Sequence, residues 1–142
     1  MSGRILGLDY GSRTVGAAVT DGLGLTAVSL ETIKREKENH LRHTYRRISE
    51  LITEYGIELI VVGLPVNMDG SEGERAALAR AFASELTKRT GVKTVMQDER
   101  LTTVEAHRIL DEAGLDWKKK AEVVDKIAAS IILQSYLDSM KE

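Results

Sequence analysis

Two tight turns fall within the first 33 residues. Gly11-Ser12-Arg13 separates the apolar run Arg4–Tyr10 from Thr14–Thr20, and Asp21-Gly22-Leu23-Gly24 separates that run from Ala27–Ile33. Strands joined this closely pair as an antiparallel meander, because a parallel crossover needs about a dozen residues or more. The pattern then changes. Leu41, Tyr45, Ile48, Leu51, Ile52 and Tyr55 recur at threes and fours, so His40–Tyr55 is expected to form an amphipathic helix with Gly56 as its C-cap. Glu58–Val62 runs almost continuously apolar, as a strand buried on both faces does. Glu72–Thr90 reads as a second helix closed by Gly91, Val92–Met96 as a fifth strand, and Thr102–Ala113 and Ala121–Met140 as two more helices. The order βββαβαβαα defines an α/β chain. Its mixed five-stranded sheet has three antiparallel strands, then two parallel ones, and is flanked by helices.

At 142 residues the chain is expected to be a single domain spanning residues 1–142. Its 42% hydrophobic and 30% charged residues exclude disorder and low-complexity architectures. With no cysteine, thiolate metal sites, cysteine nucleophiles and thiol switching are excluded. Twenty Lys+Arg against 22 Asp+Glu leave a formal charge of −2, so any nucleic-acid surface must be a local patch. No apolar stretch approaches the roughly 20 residues needed to span a bilayer, and the expected location is cytoplasmic.

Three acidic positions stand out. Asp9 ends the first strand in an otherwise apolar run, where a carboxylate is costly unless a cation or hydrogen-bond donors meet it. Asp98 and Glu99 follow the fifth strand, and alternation allows only one of them to face a given site. Asp125 shares a helix face with the small and apolar residues Ala128, Ala129 and Ile132, which points it toward the sheet. Taken singly, each has an ordinary alternative as a turn residue, a cap or a surface ion pair. Together, carboxylates gathered at one end of a sheet repel unless a divalent cation lies between them. Oxygen-only ligation suits Mg²⁺ or Mn²⁺ rather than Zn²⁺. Such ions activate water for phosphodiester hydrolysis.

Two further segments bear on phosphate. Asp9–Ser12 followed by Val15–Ala18 is similar to the phosphate-binding hairpin of actin-like and sugar-kinase ATPases, although the P-loop pattern is absent. The loop Gly63–Gly73, which contains Asn67, follows a buried strand and precedes a helix, so it either shapes a site or is an ordinary βα loop with Ser71 as N-cap. Lys118–Lys120 precede the helix bearing Asp125 and are candidates for phosphate contact. Lys34, Arg35, Lys37, Arg42, Arg46 and Arg47 form either a nucleic-acid face or a solvated helix face. His40 and His43, spaced i, i+3, have no third ligand in sight, and no metal site is assigned to them.

Five segments in order carry a family resemblance. They are Gly7–Gly11, then Val15–Ala18, then Val62–Pro65 with Asn67–Ser71, then Asp98–Thr103 with Glu105-Ala106, and last Asp125 with Ala128-Ala129 and Ile131–Leu133. This pattern resembles the YqgF family, also called RuvX, of pre-16S rRNA nucleases and Holliday-junction-resolvase-like proteins, over nearly the whole chain. The resemblance implies an RNase H-like fold and metal-dependent phosphodiester cleavage, with catalytic and metal-binding acids at Asp9, Glu99 and Asp125. In related resolvases the second acid sits on the fourth strand, where this chain has Gly63-Leu64-Pro65. Here the fifth strand supplies it, as Glu99 with Asp98 as the alternative. Ser12, Arg13, Asn67, Arg100, Lys118 and Lys120 are then expected to bind or admit substrate. The implied substrate is pre-16S rRNA, at its 5′ end. Branched DNA is the alternative, and would call for a homodimer rather than a monomer. A non-catalytic nucleotide or nucleic-acid binding module is the reading from another class.

Overall fold

The computed structural model describes residues 3–99, 108, 111, 112, 114 and 117–140, with the backbone alone for 117–126. Five strands form one sheet: β1 (Arg4–Tyr10), β2 (Thr14–Thr20), β3 (Ala27–Lys34), β4 (Ile57–Leu64) and β5 (Lys93–Asp98). Their order is β3-β2-β1-β4-β5. β1 pairs antiparallel with β2 and parallel with β4, β2 pairs antiparallel with β3, and β4 pairs parallel with β5. The meander and the two parallel strands therefore meet at β1, as the turn spacing requires. The expected strand and helix boundaries shift by one to four residues, most at the last helix, which begins at Trp117 rather than Ala121, so that Lys118–Lys120 lie within it instead of before it; β4 runs on through Gly63 to Leu64.

Three helices are described: α1 (Arg42–Tyr55), α2 (Glu74–Thr90) and α3 (Trp117–Ser139). Gly56 and Gly91 end α1 and α2 with left-handed φ of 64° and 74°, a conformation glycine adopts without a Cβ penalty. Ser71 is not the N-cap of α2. That position is Gly73, and Ser71 instead takes a bond from Asn67 Nδ2 at 3.0 Å and gives one to Asp69 at 2.6 Å. The helix expected over Thr102–Ala113 lies largely outside the described residues.

The sheet has two covered faces. Leu6, Leu8 and Tyr10 of β1, Val15, Ala17 and Val19 of β2, and Ile60 and Val62 of β4 pack with Ile48 and Leu51 of α1 and Phe82 and Leu86 of α2. On the other face Ala18 and Val61 pack with Ala129, Ile132, Leu133 and Leu137 of α3. Period-two alternation assigns every intervening residue. Gly7 and Asp9 therefore lie on the α3 face of β1, and Gly63 lies on the α3 face of β4.

Gly7 sets how closely α3 approaches. A Cβ at that position would stand 2.7 Å from Leu133 Cβ and 3.2 Å from the Ala129 carbonyl oxygen. Further along, Gln134 accepts a bond from the Ala27 amide at 3.0 Å, near the opposite end of the sheet from Asp9. The helix thus runs antiparallel to β1. Asp125, one turn before Ala129, has its backbone toward the end of β1 that carries Asp9.

Candidate active site

Asp9 is the last residue but one of β1, and half-buried. Its antiparallel partner in β2 is Gly16, so β2 adds no side chain beside it. Glu99 follows β5, and its amide donates to the Leu64 carbonyl at 3.0 Å, which carries the β4–β5 ladder one step past the strand. Val95 packs with α3 and Met96 with α1 and α2, so alternation along Val95, Gln97 and Glu99 aims Glu99 at the α3 face. Asp98 falls on the opposite side and is exposed. Of the two adjacent acids, Glu99 is the one that shares a wall with Asp9.

The two carboxylates line an open cleft of about 460 Å³ together with Tyr10, Gly11, Ser12, Pro65, Val66 and Arg75. The cleft lies at the carboxyl ends of β1 and β4, where open α/β sheets place their ligands. Glu99 reaches it by leaning over β4. A Cβ on Gly63 would stand 2.9 Å from Glu99 Oε1, so the carboxylate occupies space that a β4 side chain would otherwise fill.

One wall of the cleft went unnoticed in the sequence. Arg75, in the first turn of α2, donates from Nη1 to Glu38 Oε2 at 2.7 Å, and the Tyr10 hydroxyl donates to the same oxygen at 3.3 Å. The Arg35 guanidinium lies 4.9 Å from the Tyr10 ring centre, and that of Arg75 lies 5.7 Å from it. Burial pushes the Tyr10 phenol above its ordinary value; Arg35 pulls it down and Glu38 pushes it up again. It therefore stays protonated and serves as a donor. No motif flagged Arg75 because its ion-pair partner, Glu38, comes from the loop after β3, 37 residues earlier.

The other anticipated site residues divide. Ser12 lines the cleft; Arg13 and Asn67 do not. Arg13 is exposed, and its carbonyl accepts the Arg35 amide at 2.8 Å. The Asn67 amide is spent within its own loop on Ser71. Arg100 lies outside the described residues, and Asp125, Lys118 and Lys120 are placed by backbone only. The basic stretch also splits. Arg35 is not a surface cation: it is 8% exposed and donates from Nε to the Glu38 carbonyl at 3.1 Å. Arg47 is bound to Glu31 and Glu50.

Sheet order, two-sided helix cover and an acid on the central strand define an RNase H-like fold. The structure of T. thermophilus RuvC in complex with a Holliday junction substrate has the same fold, with a TM-score of 0.57 at 14% identity, covering 99% of this chain and 96% of that one. The model of the RuvX family, described as Holliday junction resolvase, matches residues 3–139, and the chain belongs to that family. A relative from Listeria monocytogenes is 51% identical over 136 residues, covering 96% of this chain and 98% of its own. One from Lachnospira eligens is 48% identical over 139 residues, covering 98% and 99%. Both bear the name "Putative pre-16S rRNA nuclease".

Proposed function

We propose that this chain is a divalent-metal-dependent endonuclease that hydrolyses phosphodiester bonds in precursor 16S rRNA, at its 5′ end, in the cytoplasm. The observation that carries this reading is the convergence of Asp9 and Glu99 on one cleft of an RNase H-like sheet. The names borne by relatives at about half identity over nearly full length support the substrate.

The donor set fits a hard cation: Asp9 and Glu99 present only oxygen, and among the described residues neither cysteine nor histidine lines the cleft. Asp9 and Glu99 would hold Mg²⁺ or Mn²⁺, with Asp125 as the third acid from α3. The chemistry such an ion would supply is activation of water and stabilisation of charge on the phosphate oxygens. The chain's own side chains do the rest. Arg75 lines the cleft and bonds Glu38 through Nη1, so a phosphate can compete for its guanidinium. Ser12 offers a hydroxyl beside Asp9, and Pro65 and Val66 close the far wall without adding charge. Lys118, Lys120 and Arg100 are the remaining candidates for flanking phosphates.

The family description supports a second substrate, the four-way DNA junction. The deciding experiment offers end-labelled 16S precursor leader and a four-way junction, with Mg²⁺, Mn²⁺ or EDTA, to wild type and Asp9→Asn. Cutting of the leader that needs metal and falls by on the order of 10³-fold or more in the variant supports the proposal. Cutting of the junction alone, by a dimer, replaces the substrate. Binding without cutting by either protein replaces the enzyme with a binding module.

A further inference from the structure

A second pocket, of about 450 Å³, opens between α1 and the end of α2 and is lined by Arg42, Tyr45, Arg46, Ser49 and Arg89. Arg42 and Arg46 are four residues apart on α1, one turn, so both project along the same stripe with Ser49. Arg89 arrives from the last turn of α2. Three guanidiniums converge here in a chain of formal charge −2. Two carboxylates on these helices are already engaged: Glu85 with Arg89 at 2.8 Å, and Glu50 with Arg47 at 3.0 Å. Arg42 and Arg46 make no ion pair among the described residues.

The pocket's chemistry selects phosphate over base. Tyr45 is the aromatic side chain in its wall, and the residue is only 7% exposed. It stacks on Phe82 at 5.7 Å, and the Arg89 guanidinium covers it at 4.5 Å from the ring centre. A nucleobase has no free ring to lie on. What remains accessible is a serine hydroxyl and arginine forks, which match phosphate oxygens bidentately.

The pocket is also joined to the cleft. Phe82 stacks on Tyr10 at 4.6 Å on one side and on Tyr45 on the other. One row of three rings therefore runs from the wall of the cleft to the wall of the basic pocket.

We infer that Arg42, Arg46 and Arg89 form a distal phosphate site that grips the single-stranded nucleic acid extending from the cleft. The inference rests on the nucleic-acid reading of the cleft, and the site contributes affinity and register rather than chemistry.

Binding in EDTA tests it apart from cleavage. Labelled single-stranded oligoribonucleotides of increasing length, from the dinucleotide upward, are titrated at several salt concentrations. Wild type should gain affinity once the RNA is long enough to reach α1. Arg42→Gln and Arg46→Gln should each lower the salt slope by about 0.7, the value for one lost phosphate contact on a single strand, and together should flatten the length dependence. Lys93→Gln, an exposed cation at the start of β5, should leave the slope unchanged. Both arginines are exposed on a helix that glutamine suits, so thermal midpoints should match wild type. Unchanged slopes in both arginine variants, or an equal loss in Lys93→Gln, would overturn the site. A length-dependent gain that these variants abolish upholds it even if no RNA is cut when metal is added.

Discussion

The Glu99 carboxylate lies over the bare backbone of Gly63, where an added Cβ would come within 2.9 Å of both its Cδ and Oε1. A side chain rooted beyond β5 thereby delivers its charge above β4, next to the β1 strand that carries Asp9. This is how an acid supplied by the fifth strand serves a cleft built on the first and fourth. Gly63→Ala should keep the fold, because the atoms in the way are the ends of flexible side chains, Ile132 Cδ1 at 2.5 Å included. It should cost about 1–3 kcal/mol in overpacking and displace Glu99. Cleavage should fall about 10- to 100-fold, the size seen when the support of a metal ligand is disturbed. Paired thermal denaturation and single-turnover rates check this; full activity in Gly63→Ala would separate Glu99 from the reaction.

Gly7 makes the contrasting case. An added methyl would meet Leu133 Cβ at 2.7 Å and the Ala129 carbonyl at 3.2 Å, atoms fixed to the α3 backbone. Neither can rotate away, so the helix itself must move. Gly7→Ala should therefore destabilise more than Gly63→Ala, by about 3 kcal/mol, lowering Tm by about 4 °C for each kcal/mol. Because α3 carries Asp125, activity should drop at temperatures where the variant is still folded. Scanning calorimetry with activity measured well below Tm tests both parts.

Period and turn spacing make the sheet legible from the residues alone. Three strands with two turns too short for crossovers leave a meander, and one apolar run between amphipathic helices leaves a parallel strand. The cleft acids were legible as a set, since Asp9 and the Asp98-Glu99 pair both end strands. Choosing Glu99 over Asp98 needed the phase of β5, which depends on Val95 meeting α3 and Met96 meeting the other face. Arg35 was misread as a surface cation because local sequence does not say that Tyr10 and the Gly11 carbonyl wait across the loop. The bond from the exposed Asn67 amide to Ser71 in its own loop was likewise not readable from local sequence. Arg75 carries no local signal at all, and only the fold brings it to Tyr10 and Glu38.

The Glu31–Arg47 fork ties β3 to α1 through bonds of 2.9 and 2.6 Å. The bond from Arg47, opposed by partial burial, holds the Glu31 carboxyl below its ordinary value of 4.5. A depressed folded-state pKa adds stability that is complete above the unfolded value and is lost as pH falls through the folded one. The pair is about a third exposed, so solvent screening limits its worth to under about 1 kcal/mol. Glu31→Gln should thus be slightly less stable than wild type at neutral pH, and the gap should narrow below about pH 4.5. Urea titrations of both proteins at neutral and acidic pH measure it; a gap independent of pH would mean that the bridge contributes through packing rather than charge.

Arg75 and Glu38 should respond in opposite directions. Glu38 holds the Arg75 guanidinium at 2.7 Å in the free protein, and a substrate phosphate must compete for it. Arg75→Ala should raise KM about tenfold, the equivalent of about 1.4 kcal/mol, with a smaller change in kcat. Arg75→Lys should recover only part of this, since an ammonium lacks the planar fork. Glu38→Gln removes the competing charge, so KM should fall. Tyr10 and Arg35 each keep their bonds to neutral oxygens of the loop or its new amide, and Tm should change by only a few degrees. If Glu38→Gln instead raises KM as Arg75→Ala does, the pair acts by holding the wall of the cleft in place, and Arg75 does not exchange Glu38 for phosphate.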